Sequence, residues 1–293
     1  MSRTTAAVLG PGAIGLTVAA ALSDAGVGSI AVLGRTPSAA ITVSGRGMRA
    51  RVVDISCTGA LGADLQPVDW LFLCVKAHQV EDAAPSIRSL VDDRTQVVIL
   101  QNGVEHISRV QPFTGAAALL PGVVWFSAAR TAAGSVEVHT RPIIMVPSTS
   151  PHEELATLLG SDVDVVPTDD FLSESWRKLC RNAVGGLLAL TGLPTRVFQD
   201  PGMAKLAGDL ACECIAVANA SGAVLDEAYG EEIVDSLLSG PPEQGNSMLA
   251  DRLGGHPLEW DARNGVICRM GRRCGTPTPI SDVLVPLLAA INT

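Results

Sequence analysis

The sequence predicts an α/β chain in two parts, a mostly parallel sheet with helices on both faces followed by an all-α domain. Short β-rich runs alternate with helical stretches through the first half, which is the pattern of βαβ units. A glycine-rich turn, Gly10 to Gly15, stands between the first strand and the first helix. After Pro167-Thr168-Asp169-Asp170 the strand signals nearly vanish, so the chain divides into residues 1–168 and 169–293.

Strands are expected at Ala6–Leu9, Ile30–Leu33, Arg51–Cys57, Trp70–Val75 and Val97–Leu100, with helices at Ala13–Ala25 and Val80–Leu90 between them. The short runs Val136–His139, Ile143–Val146 and Val163–Val166 are expected to extend the same sheet in antiparallel fashion. Beyond the boundary, Ser173–Leu190, Gly202–Ser221, Glu227–Leu238 and Ile280–Ile291 read as helices, the last kinked at Pro286.

Composition narrows the function. The 293 residues suffice for two domains at about 100–200 residues each. Hydrophobic residues reach 47% against 17% charged, so burial is not limiting and disorder is excluded. A net charge of −9 argues against a nucleic-acid surface, while one or two placed cations still suffice for a small anion. The 7 cysteines form no CxxC pair and read as free thiols in a reducing cytoplasm. The 5 histidines have no metal-ligand spacing, so no metal is expected. Thr4–Ser23 lacks charges and resembles a signal peptide, but Gly10-Pro11-Gly12 would break an apolar helix there. Strand, turn and helix explain the stretch better. No membrane association is expected, and a homodimer is left open.

Gly10-Pro11-Gly12-Ala13-Ile14-Gly15 is a GxGxxG directly after a strand and opening a helix. The first glycine permits the turn, the second admits a pyrophosphate to the backbone, and the third packs helix against strand. This is the fingerprint of a Rossmann dinucleotide-binding domain. The second strand ends in Leu33-Gly34-Arg35-Thr36, without the acid that binds an NAD ribose. Arg35 instead suits a 2′-phosphate, so NADP(H) is the expected cofactor. Lys76 and Asn102 follow two further strands at the edge where ligands of open α/β sheets bind.

Six blocks, GPGAIG, VKAHQ, LQNGVEH, WRKLCRNA, NSMLADR and LEWDARNGVI, resemble in order and spacing those of the ketopantoate (2-dehydropantoate) reductase family. The likeness runs nearly the full length. It implies NADPH-dependent reduction of a 2-keto acid, ketopantoate to pantoate, on a Rossmann domain joined to a helical one. Lys178 and Asn182 stand four apart on one predicted helix and share a face. A lysine beside a carbonyl can polarise it and donate the proton as general acid. By resemblance Lys178 is that donor, with Asn102, Asn182 and Ser247 on the substrate. The same resemblance puts Lys76, Asn102, a backbone amide near Ala128, and Glu259 by the cofactor. Glu259 could also pair with Lys178. From the residues alone, Ser247 reads as the N-cap of a helix starting at Met248.

Three departures stand out. Where the family has a second substrate asparagine one turn past Asn182, this chain has Gly185-Gly186. Leu193-Pro194-Thr195-Arg196 replaces a further asparagine, and Gln244 or Gly245 another before Ser247. An asparagine restored at 185 or 186 is therefore expected to improve use of ketopantoate and to firm the helix. The alternatives are a reductase of another 2-keto acid, a non-catalytic NADP sensor, and a 6-phosphogluconate-type or 3-hydroxyacid dehydrogenase.

Overall fold

The structure, a computed structural model, describes residues 4–46, 48, 50–53, 55, 57–58 and 65–291. It separates into two compact units. One comprises residues up to Gln101 together with His106–Phe171, and the other Asn102–Glu105 together with Leu172 onward.

The first unit is built on β1 (Thr5–Leu9), α1 (Ala13–Asp24), β2 (Ser29–Leu33), β3 (Ile41–Gly45), β4 (Arg51–Val53), β5 (Cys57–Thr58), β6 (Trp70–Leu73), α2 (Val80–Leu90) and β7 (Gln96–Ile99). It continues through α3 (His106–Val110), β8 (Ala118–Pro121), β9 (Val123–Val124), β10 (Ala128–Ala132), β11 (Ser135–Val138), β12 (Ile143–Pro147), α4 (His152–Leu159) and β13 (Asp164–Thr168). The main sheet runs β5-β2-β1-β6-β7-β8 with parallel pairing throughout.

Strands buried on both faces need apolar residues at successive positions, and β1 and β6 supply them. Ala6, Val8 and Phe72 join the core against α1 and α4, while Ala7, Leu9, Leu71 and Leu73 join the core against α2. Val80, Ala83, Ala84, Ile87 and Leu90 form the buried stripe of α2 at helical spacing. The uncharged Thr4–Ser23 stretch is thus strand, turn and helix. No helix among the described residues is long and apolar enough to cross a membrane.

The later β runs do not extend the main sheet. They form two smaller sheets, β10-β11-β3-β4 and β13-β12-β9. Pairing is parallel for β11 with β3 and for β12 with β13, and antiparallel for β12 with β9. Parallel partners come from remote segments, so a local hairpin reading could not find them. The Arg51–Cys57 run is divided between two sheets, and its residues 54 and 56 lie outside the described residues. Cys57's side chain also lies outside them; Cys74, Cys180, Cys212, Cys214, Cys268 and Cys274 are free thiols.

The second unit holds α5 (Phe171–Val184), α6 (Gly186–Thr191), α7 (Pro201–Ala220), α8 (Tyr229–Ser239), α9 (Ser247–Leu253), a π-helical turn (Asp261–Gly265), α10 (Val266–Cys274) and α11 (Pro279–Ala290). Trp176, Leu179, Cys180, Ala183 and Val184 give α5 one buried face, which packs with Leu210, Ala211, Cys214 and Ile267. The helix expected over Ser173–Leu190 is two helices, because Gly185 interrupts it. Glu213, from the middle of α7, accepts hydrogen bonds from the backbone N–H groups of Ile280 and Ser281, both at 2.8 Å. Its carboxylate thereby caps the first turn of α11.

Candidate active site

Three loops leave the carboxyl ends of adjacent strands β2, β1 and β6. Backbone bonds fix their departure: Gly10 N–H donates to Leu33 O at 2.9 Å and Cys74 N–H to Leu9 O at 2.8 Å. Gly10 has φ +104°, and a Cβ there would lie 2.6 Å from the backbone nitrogen of Val75. A Cβ on Gly15 would lie 2.1 Å from Gly10 O, and one on Gly34 2.2 Å from the ring of Pro11. Only glycine meets these contacts. Gly12 is open, with nothing within 4 Å of its Cβ position. It starts α1 without a side-chain cap, and no acid stands in the first turn. The N–H groups at this end, with Ala13 and Ile14 following Gly12, suit an anion such as a dinucleotide pyrophosphate.

Arg35 lies just beyond β2, exposed and without an ion pair among the described residues. Lys76, half-buried beyond β6, donates its backbone N–H to Gln79 Oε1 at 3.2 Å. Ala128 opens β10 in a different sheet, paired with Val138.

The second unit gathers the other candidates into one hydrogen-bonded row. Arg263 Nη2 donates to Asn182 Oδ1 at 3.1 Å, Asn182 Nδ2 to Asn102 Oδ1 at 3.0 Å, and Asn102 Nδ2 to Glu259 Oε2 at 3.0 Å. Arg263 Nη1 donates to Ser247 Oγ at 3.0 Å. Lys178 lies one turn before Asn182 on α5, half-buried. Burial first, then the charges of Arg263 and Arg181, lower its pKa to about 8.

Local structure explains the placement. A Cβ on Gly103, at φ +108°, would lie 2.9 Å from Ala262 O, so this segment presses closely on the π turn. Two residues on, Glu105 pairs with Arg269 at 2.7 Å. Asn102 is thus anchored beside Glu259. The N-cap of α9 is Asn246, with Ser247 the first helical residue: Asn246 Oδ1 accepts from Leu249 N–H at 2.8 Å. Its Nδ2 donates to Gly185 O at 2.9 Å.

Arg263 was not among the candidates. Its signal was a lone cation in the run around Ala262, Val266 and Ile267, on positions that are all buried. Asn246 also escaped, although an asparagine directly before a helix is a strong N-cap signal.

The space around Gly185 and Gly186 stands against the expectation that an asparagine there would help. A Cβ on Gly186 would lie 2.9 Å from Oδ1 of the fully buried Asn264, whose Nδ2 donates to Ala183 O. A Cβ on Gly185 would lie 2.4 Å from Asn246 Nδ2. Two asparagines from other elements fill this space, where α5 ends and α6 begins.

Two substitutions test these contacts. Gly34→Ala is expected to cost about 1–3 kcal/mol as an overpacked site, and much less in a Pro11→Ala background. Urea unfolding of the cycle measures this; additive losses would locate the clash elsewhere. Gly186→Asn is expected to destabilise by a similar amount and to lower activity, although Gly is a poor helix former. A higher melting temperature than the unmodified protein would contradict the packing described.

Residues 6–150 match the family described as Ketopantoate reductase PanE/ApbA, and residues 170–292 its C-terminal counterpart. The chain is 43% identical to a 2-dehydropantoate 2-reductase of Mycobacterium tuberculosis, covering 99% of this chain and 98% of that protein. It is 35% identical to one of Caulobacter vibrioides, covering 98% and 99%. The crystal structure of 2-dehydropantoate 2-reductase from Geobacter metallireducens superposes with a TM-score of 0.89 at 27% identity, covering 98% and 99%. With both halves matched, the chain belongs to the ketopantoate reductase PanE/ApbA family.

Proposed function

We propose that this chain reduces a 2-keto acid, 2-dehydropantoate, to the 2-hydroxy acid pantoate with NADPH. The observation that carries the reading is Lys178 on the same face as Asn182, with Asn182 bonded into a row containing Asn102, Glu259, Arg263 and, through Arg263, Ser247. Relatives at 43% and 35% identity that bear the name 2-dehydropantoate 2-reductase support it.

The turn Gly10–Gly15 would hold the pyrophosphate, Arg35 the 2′-phosphate, and Lys76 and the backbone at Ala128 further parts of the cofactor. Bound NADPH supplies the hydride that reduces the carbonyl carbon. Asn102, Asn182 and Ser247 bind and orient the keto acid. Lys178 polarises the carbonyl and releases a proton from Nζ to its oxygen, becoming a neutral amine that regains a proton from water. Glu259, acceptor for Asn102, fixes that amide and helps shape the nicotinamide end of the site.

NADPH oxidation against a panel of 2-keto acids tests the assignment. Ketopantoate is expected to give the highest kcat/KM. A different 2-keto acid is the second reading, favoured by the glycines at 185 and 186, and the same panel would select it.

Arg35→Ala is expected to raise KM for NADPH about ten- to a hundredfold, since a charge-assisted pair is worth about 1.5–3 kcal/mol. KM for NADH should barely move, and equal losses for both cofactors would remove Arg35 from the phosphate. Lys178→Ala is expected to lower kcat about 10²–10⁴-fold with NADPH binding near normal. The acid form of Lys178 is the active one in reduction, so the rate should fall as pH rises through about 8. Unchanged single-turnover hydride transfer in this variant would mean that the proton comes from another group.

A further inference from the structure

Arg263 is 2% exposed, on the π turn between Glu259 and α10. Nearby Arg269, by contrast, is paired with the carboxylates of Glu105 and Asp261. Arg263 donates only to neutral oxygens, the hydroxyl of Ser247 and the side-chain and main-chain oxygens of Asn182. Its Nε is buried without a hydrogen-bond partner. Burial disfavours its charge, while the negative charges of Glu259 and Asp251 favour it.

What the arrangement achieves follows from donor and acceptor arithmetic. A guanidinium can only donate and a carboxylate only accept. Arg263 occupies Asn182 Oδ1, so the amide of Asn182 cannot flip, and its NH₂ group turns to Asn102 Oδ1. Asn102 is oriented in the same sense, its NH₂ group on Glu259. Each amide keeps a second N–H outside the row. Ser247 accepts from Arg263, which leaves its own O–H to donate elsewhere. The groups that Asn182, Asn102 and Ser247 keep outside the row are donors, and the carboxylate in it, Glu259, already accepts from Asn102.

We propose that Arg263 is a specificity-determining positioning residue. By occupying the acceptors of Asn182 and Ser247, it leaves a donor surface that selects a carboxylate-bearing substrate over its neutral amide. A carboxylate offers acceptors only, which these donors can meet. The primary amide brings N–H groups that meet donors. The assignment rests on the 2-keto acid reading above.

The test compares the unmodified protein with Arg263→Met and Arg263→Lys, using the 2-keto acid and its amide in turnover. Calorimetric binding of pantoate and pantoamide without cofactor provides a second readout, and melting temperature serves as a control. In Arg263→Met the acid-to-amide ratio of kcat/KM, and that of the two affinities, is expected to fall about tenfold or more. KM for the acid should carry most of the loss. Arg263→Lys keeps the charge but loses the fork that holds both acceptors, so the acid preference should fall there as well. A parallel loss for acid and amide in Arg263→Met would overturn the proposal. If that variant does not fold, an acid preference left unchanged in Arg263→Lys would do the same. Should the unmodified protein reduce no 2-keto acid, the functional reading falls and this assignment with it. If it does so and the ratio is unmoved by substitution, only the role of Arg263 falls.

Discussion

The hydrogen bond from Arg263 to Asn182 joins a group that can only donate to one that can turn either way. At the far end of the row Glu259 can only accept. Two amides held between such ends have one consistent orientation, and every bond in the row agrees with it. The energetic weight is large because the ends are buried: Arg263 is 2% exposed and Glu259 6%. A reversed amide would set donor against donor or acceptor against acceptor in a medium of low dielectric, where an unmade hydrogen bond is expensive. The same placement acts on Lys178. Burial and the nearby guanidinium both disfavour its charged form, drawing an ordinary lysine into the range where it can give up a proton near neutral pH. Arg263 thus orients the amides and adds to the effect of burial on the lysine.

The first unit solves a different problem. The turn proposed to hold the dinucleotide is built of backbone, so its constraint is how closely chain segments approach. Gly10 lies against Val75, Gly15 against Gly10, and Gly34 against Pro11. Each contact ties one loop at the carboxyl edge to its neighbour, and together they hold the start of α1 free of side chains. An anion site made from N–H groups needs that bareness more than it needs any particular functional group. Arg35 and Lys76, the cations proposed to meet the cofactor, follow the flanking strands β2 and β6.

These two kinds of construction were unequally legible in the sequence. Parallel strands buried on both faces and amphipathic helices announce themselves by periodicity, so β1, β2, β6, β7, α1 and α2 were found to within a residue or two. The glycine turn was legible because steric need restricts residue type. The two small sheets were not, since β3 pairs with β11 across a long stretch of chain, and nothing in either segment names its partner. In the second unit, Lys178 and Asn182 were visible through helical spacing and Asn102 through its place just past a strand, and resemblance added Ser247 and Glu259. Arg263 was invisible for a physical reason. Periodicity assigns such a position to the core, and charge assigns it to the surface. Only in the folded chain is a cation accepted into the interior by the oxygens of Asn182 and Ser247.

Gly185 and Gly186 show where reasoning by aligned residue type stops. Compared with the family pattern, they look like a deletion of side-chain chemistry. In three dimensions the space is filled by Asn246, which caps α9 with its oxygen and holds Gly185 O with its nitrogen, and by Asn264, which holds Ala183 O. The glycines release α5 from continuing as one helix, and the interruption leaves carbonyls that need donors. Asn246 and Asn264 supply those donors, so glycines and asparagines are two halves of one packing arrangement. Asn264 keeps a buried Oδ1 without a hydrogen-bond partner, and a side chain added at Gly186 would press on that atom. Changing either partner alone therefore breaks a contact before it can create one. The polarity of this corner is set by volume and backbone need together, in the same way that the row beside it is set by Arg263.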